Sequence, residues 1–61
     1  KNMKKQIYWN DETIAYFKYE STKLTLKQTI SAITEFVEID CSLEDDETEE
    51  MFVIDLINRV F

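Results

Sequence analysis

The densest group of chemically capable side chains is Glu44, Asp45, Asp46, Glu47, Glu49 and Glu50, six carboxylates within seven positions. Carboxylates can work as a general acid and base, hold calcium, or present negative charge. The first use needs two groups facing one substrate, and sequence neighbours such as Asp45 and Asp46 do not share a helix face. The second needs ligands spaced through a loop with a glycine at its sharp turn, and this chain has no glycine. The same lack excludes glycine-rich phosphate loops. Histidine is also missing, which removes the commonest general base and a usual zinc ligand. Cys41, the single cysteine, has no imidazole to activate it. The chain therefore reads as a binding protein and not an enzyme, with no catalytic residue, metal or other cofactor. The plain reading of the acidic run is a solvated loop or a first helical turn, where acids suit the positive end of the helix dipole.

Charge is unevenly spread. Residues 1–27 hold six lysines and three acids, a net of +3, whereas residues 28–61 hold ten acids and one arginine, a net of −9, giving −6 in all. An acidic half of this kind repels nucleic acid and attracts basic proteins, including those that themselves bind nucleic acid. Tyr8, Trp9, Tyr16, Phe17 and Tyr19, interleaved with lysines, could stack the bases of a single strand. The acidic half opposes any such ligand over a distance comparable to the Debye length, so no direct nucleic-acid contact is expected and the aromatics are assigned to a core and a dimer interface.

A chain of 61 residues makes one domain at most, spanning 1–61. A domain of this size buries only about 60% of the surface its unfolded chain exposes. Neither disulfide nor metal braces it, which leaves good packing or self-association, so a homodimer is a fair expectation. No segment approaches the roughly 18 consecutive apolar residues of a membrane span, and the opening KNMKKQIYW lacks the apolar centre of a signal peptide. A lone thiol suits a reducing compartment, so the expected location is cytoplasmic, without membrane contact.

With neither glycine nor proline, turns must be made by Asn, Asp, Ser and Thr. Residues 4–9 and 13–19 are rich in β-branched and aromatic types around Asn10-Asp11, which predicts a β-hairpin placing Ile7, Trp9, Ile14 and Tyr16 on one face. The rival is a helix capped by Asn10, with Asp11 and Glu12 in its first turn and Trp9 stapled to Ile14. The hairpin is preferred because Thr, Ile, Tyr and Phe are mediocre helix formers. Residues 25–39 predict a helix, opened by a Thr25/Gln28 capping box, striped by Leu26, Ile30, Ile33 and Val37, and ending near Asp40. Residues 51–61 predict a second helix, with Asp55, Asn58 and Arg59 opposite Val53, Ile57 and Val60; the run Met51 to Ile54 leaves a strand open. The expected fold class is α+β, an N-terminal β-hairpin packed on a central helix and a C-terminal helix or strand; the alternative is a three-helix all-α fold.

Glu20-Ser21 lies at the seam between the first and second elements. Carboxylate and phosphate are both anions presenting oxygen acceptors, so Glu20, displayed at a strand end with Ser21 beside it, could occupy a site built for a DNA backbone. The run Tyr19-Glu20-Ser21, then Leu24 and Leu26, then a helix with Ile30 and Ile33, resembles the first strand and following helix of the Ugi-type uracil-DNA glycosylase inhibitors, small acidic phage proteins that mimic DNA. Phe17-Lys18-Tyr19, Leu24-Thr25-Leu26 and the closing Arg59-Val60-Phe61 are similar to features of the short dimeric inhibitors of phi29-like phages. The resemblance implies an inhibitor of host uracil-DNA glycosylase acting in a bacterial cell. Such an enzyme grips phosphates, flips its target base and inserts an apolar side chain into the gap. On this resemblance Glu20 stands for a phosphate with Ser21 supporting it. Ile30, Ile33 and Val37, with Met51, wall a groove for the inserted side chain. Glu44, Asp45, Asp46, Glu47, Glu49 and Glu50 steer association. The plainer reading makes Ile30, Ile33 and Val37 ordinary core and the acids a solvated face. The alternative function is a small acidic regulator that binds another nucleic-acid-binding protein.

Overall fold

A computed structural model describes residues 9–41 and 43–61. It contains three helices in chain order: α1 (Asp11–Ser21), α2 (Leu26–Ile39) and α3 (Asp46–Val60). No strand occurs among the described residues. The expected β-hairpin, and with it the α+β class, is overturned in favour of the three-helix alternative. Residues 13–19, its second strand, lie inside α1; most of its first strand, residues 4–8, falls outside the described residues.

The local reason is capping chemistry. Asn10 Oδ1 accepts from the Thr13 amide at 3.1 Å, and Thr13 Oγ1 accepts from the Asn10 amide at 3.4 Å. These bonds satisfy two donors that a helix start otherwise leaves open. Asp11 and Glu12 follow at the positive end of the dipole. An asparagine cap contributes about 1 kcal/mol, enough to offset one or two residues of mediocre propensity at up to ~0.7 kcal/mol each. Burial decides the rest. Phe17 is 3% exposed while Tyr16 is 57% exposed. Ile14 and Phe17 share the core side, a spacing of three that a helix brings together and a strand separates.

α1 ends without the left-handed glycine that commonly closes helices. Thr22 stays right-handed, with φ −78°. The Glu20 carbonyl accepts from the amides of Lys23 at 2.9 Å and Leu24 at 3.0 Å. Ser21 Oγ donates to the Lys18 carbonyl and Thr22 Oγ1 to the Tyr19 carbonyl, each at 2.7 Å. Hydroxyls thus supplement the closing turn.

α2 begins as the sequence indicates: Thr25 Oγ1 accepts from the Gln28 amide at 3.1 Å, and Gln28 Oε1 accepts from the Thr25 amide at 3.0 Å. Its buried stripe is Thr29, Ile33 and Val37, rotated from the expected Leu26, Ile30, Ile33 and Val37. Leu26 is 61% exposed and Ile30 is half-buried. Thr29 can be fully buried because its hydroxyl donates to the Thr25 carbonyl at 3.0 Å, leaving no unpaired donor to penalise burial.

α3 starts five residues before the expected segment. Asp45 caps it, accepting from the Thr48 amide at 3.1 Å and the Thr48 hydroxyl at 2.8 Å. Phe17, Ile33, Val37, Leu56 and Val60 form the core, with Trp9, Ile14, Ala32, Phe36, Leu43, Phe52, Val53 and Ile57 packed around it. Trp9 meets Phe52 edge-on at 5.0 Å between ring centroids, and Phe17 meets Phe36 similarly at 5.6 Å, arrangements that favour the aromatic quadrupoles. Cys41, just past α2, is also buried. Among the described residues no helix is long and apolar enough to cross a membrane.

Candidate protein-interaction surface

The end of α2 and the start of α3 enclose a groove of 490 Å³ lined by Thr34, Glu38, Asp46, Glu47, Glu49, Glu50 and Val53. Helical spacing builds both walls. Thr34 and Glu38 are one turn apart on α2, and Asp46, Glu49, Glu50 and Val53 recur at three, four and seven residues on α3. Among the described residues no lysine or arginine lines the groove. Arg59, the basic residue of α3, is engaged elsewhere, with Nε 3.2 Å from the Asp55 carboxylate one turn away.

The two walls hold their charges in opposite fields. On α3, Asp46, Glu47 and Glu49 occupy the first turn, where the dipole favours them. On α2, Glu38 sits in the last turn with no basic residue to balance it, where the dipole disfavours a carboxylate. Asp40, the C-cap, adds to that charge. The Asp45 carboxyl is held below the ordinary aspartate range, chiefly by the hydrogen bond from the Thr48 hydroxyl and then by the Thr48 amide. The Cys41 thiol is pushed up by burial and then by the neighbouring Asp40 charge, which keeps it protonated and unreactive. Among the described residues no three of the acids and Cys41 converge closely enough to hold a metal ion.

The residues singled out from the sequence are dispersed. Glu44, Asp45, Asp46, Glu47, Glu49 and Glu50 gather at the start of α3, and four of them line the groove. Glu20 is half-buried in the last turn of a helix, not displayed at a strand end. Ser21 Oγ already donates to its own helix. Ile33 and Val37 have no accessible surface, so both lie inside the core and wall no open groove. Ile30 is half-buried, outside the core cluster, and Met51 is 64% exposed on α3. Sequence reasoning missed Glu38, Thr34 and Val53 as groove residues. For Thr34 and Glu38 the available signal is their i, i+4 spacing on one face of α2.

A second, apolar surface follows α1. Tyr16, Phe17, Ala32, Glu35, Phe36, Ile39 and Asp40 line a shallow cleft of 300 Å³ between α1 and α2. An adjoining cleft of 400 Å³ is bounded by Asn10, Glu12, Thr13, Tyr16, Phe17 and Phe36. Tyr16 stands on the border of both. Compared with protein-family models, curated proteins and solved structures, the chain matches none.

Proposed function

We propose that this protein is a small acidic interaction module that binds a basic, nucleic-acid-binding protein through the α2–α3 groove. The observation that carries this reading is Glu38, a carboxylate kept at the negative end of α2 and facing four more across a groove with no base among the described residues. A local rule broken with no basic residue in the same turn to balance it is where function is to be sought. A lysine- or arginine-bearing surface supplies the missing counter-charge. It gains from all five carboxylates at once, and Val53 gives its aliphatic stems an apolar floor.

Inhibition of uracil-DNA glycosylase is the narrower form of the same idea. Its specific anchors are Glu20 at a strand end with Ser21 beside it and a groove walled by Ile30, Ile33 and Val37 with Met51; Glu20 stands instead in the last turn of α1, and Ile33 and Val37 are fully buried. The broader reading needs neither.

The test is binding to purified basic DNA-binding proteins, with uracil-DNA glycosylase among them, measured by interferometry across a salt series. Affinity is expected to fall steeply with salt and by roughly tenfold in Glu38→Lys. No binding at low salt to any of these proteins, or binding indifferent to Glu38→Lys, overturns the proposal. A parallel uracil-excision assay separates the forms: loss of excision selects the glycosylase, and full excision beside binding to another protein selects the broader role.

A further inference from the structure

The outer face of α1 carries a stripe that the groove does not use. Phe17 marks the core side of this helix. Glu12, Tyr16, Tyr19 and Lys23 recur at intervals of four, three and four, which places them on one exposed face, at whose border the Tyr16 ring meets the Phe17 ring edge-on at 5.2 Å. All four are exposed, Tyr16 at 57% and Tyr19 at 60%. Lys23 lies just past α1 but continues its turn, its amide donating to the Glu20 carbonyl at 2.9 Å. Its Nζ stands over the Tyr19 ring, 4.6 Å from the centroid. Glu12 and Tyr16 border one cleft. The stripe therefore reads acid, tyrosine, tyrosine, base, and spans about 16 Å at 1.5 Å per residue.

This order is its own complement when reversed. A two-fold axis beside the midpoint between Phe17 and Lys18 brings Glu12 of one copy opposite Lys23 of the other, twice. It also brings Tyr16 opposite the second copy's Tyr19, twice. An interface between identical patches requires this symmetry. The charge order rejects the parallel arrangement, in which Glu12 would face Glu12 and Lys23 would face Lys23. Aromatic pairs at the centre and ion pairs at the rim match the usual distribution in protein interfaces.

We propose that the protein associates with a second copy of itself through an antiparallel α1–α1 contact in this register. The contact leaves the α2–α3 groove open in both copies, since no α1 residue lines that groove. A dimer so formed presents two acidic grooves. The proposal stands whether or not the grooves bind a basic protein.

Sedimentation equilibrium of the full chain from low micromolar to millimolar concentration tests it. A concentration-dependent monomer–dimer equilibrium is expected. Glu12→Lys is expected to weaken it by roughly tenfold or more, and Lys23→Glu likewise, because each places like charges opposite one another. The double variant Glu12→Lys/Lys23→Glu is expected to restore the original dissociation constant, the pairs being remade with their signs exchanged. Glu12→Lys also moves the net charge of −6 closer to zero, so weakening in that variant cannot come from general repulsion. Circular dichroism checks helix content. Should Glu12→Lys lose helix, Lys23→Glu, outside α1, gives the same readout independently of the helix start. A monomer at millimolar concentration overturns the proposal. So does a dimer indifferent to both single reversals, or a folded double variant that fails to regain the dimer.

Discussion

At the scale of the residue, Asp45 shows how one carboxylate serves local structure. It caps α3 through two hydrogen bonds from Thr48, and those bonds hold its proton affinity below the ordinary range. A group whose folded pKa lies below its unfolded value of about 3.9 contributes stability that is complete above the unfolded value. That stability is lost as pH falls through the folded one. Asp45→Asn keeps a good capping side chain and removes the titration. Its expected effect is a near-normal melting temperature at neutral pH together with a shallower loss of stability in acid, read by circular dichroism melts across a pH series. An acid limb as steep as that of the unmodified chain would contradict the assignment. Ser21 makes the complementary point. A hydroxyl beside a carboxylate suggests a recognition pair, yet its bond to the Lys18 carbonyl makes it part of a helix end.

At the scale of the element, α1 is the instructive case. Residues 13–19 alternate well enough to read as a strand, because β-branched and aromatic residues there happen to satisfy both periods. What decides is at the boundary: Asn10 and Thr13 close a reciprocal pair of hydrogen bonds, and one face then delivers Ile14 and Phe17 to the core. Asn10→Ala is expected to cost about 1 kcal/mol, hence ~4–8 °C in melting temperature for a domain this small. A melt unchanged by that substitution would show that packing alone holds the helix. Thr25 and Gln28 made α2 legible from the sequence to the residue at its start, since both members of the box were written in the chain. The rotation of its buried stripe was not legible. It depends on which faces α1 and α3 cover, and a threonine at position 29 enters the core only because its hydroxyl bonds to the preceding turn. From the sequence the acidic run reads as a loop or a first helical turn. The Asp45–Thr48 cap shows that they open the helix, and Leu56, its fully buried centre, escaped a stripe drawn through Val53, Ile57 and Val60. Of the candidate site, the charge was visible early. Its partner wall on α2 was not, because only tertiary packing sets Glu38 across from Glu50.

At the scale of the whole molecule, the fold concentrates charge that the sequence distributes as +3 and −9 between its halves. Like charges brought together destabilise the compact state, and salt screens them over roughly 8 Å at physiological ionic strength. The melting temperature is therefore expected to rise between low and moderate sodium chloride concentration. A salt-independent melt would mean that the repulsion is already relieved within the chain. The effect should be largest for probes placed at the junction of α2 and α3.

Glu38 has a consequence for the bound protein as well as for the bare one. Two helix ends of opposite polarity meet at the groove, and only the α2 side is loaded against its own backbone. In the proposed complex an incoming ammonium or guanidinium group would offset the Glu38 charge as it docks. Occupancy should tighten the last turn of α2 and slow the exchange of its amide hydrogens, so that the partner acts as a clasp on the helix that greets it.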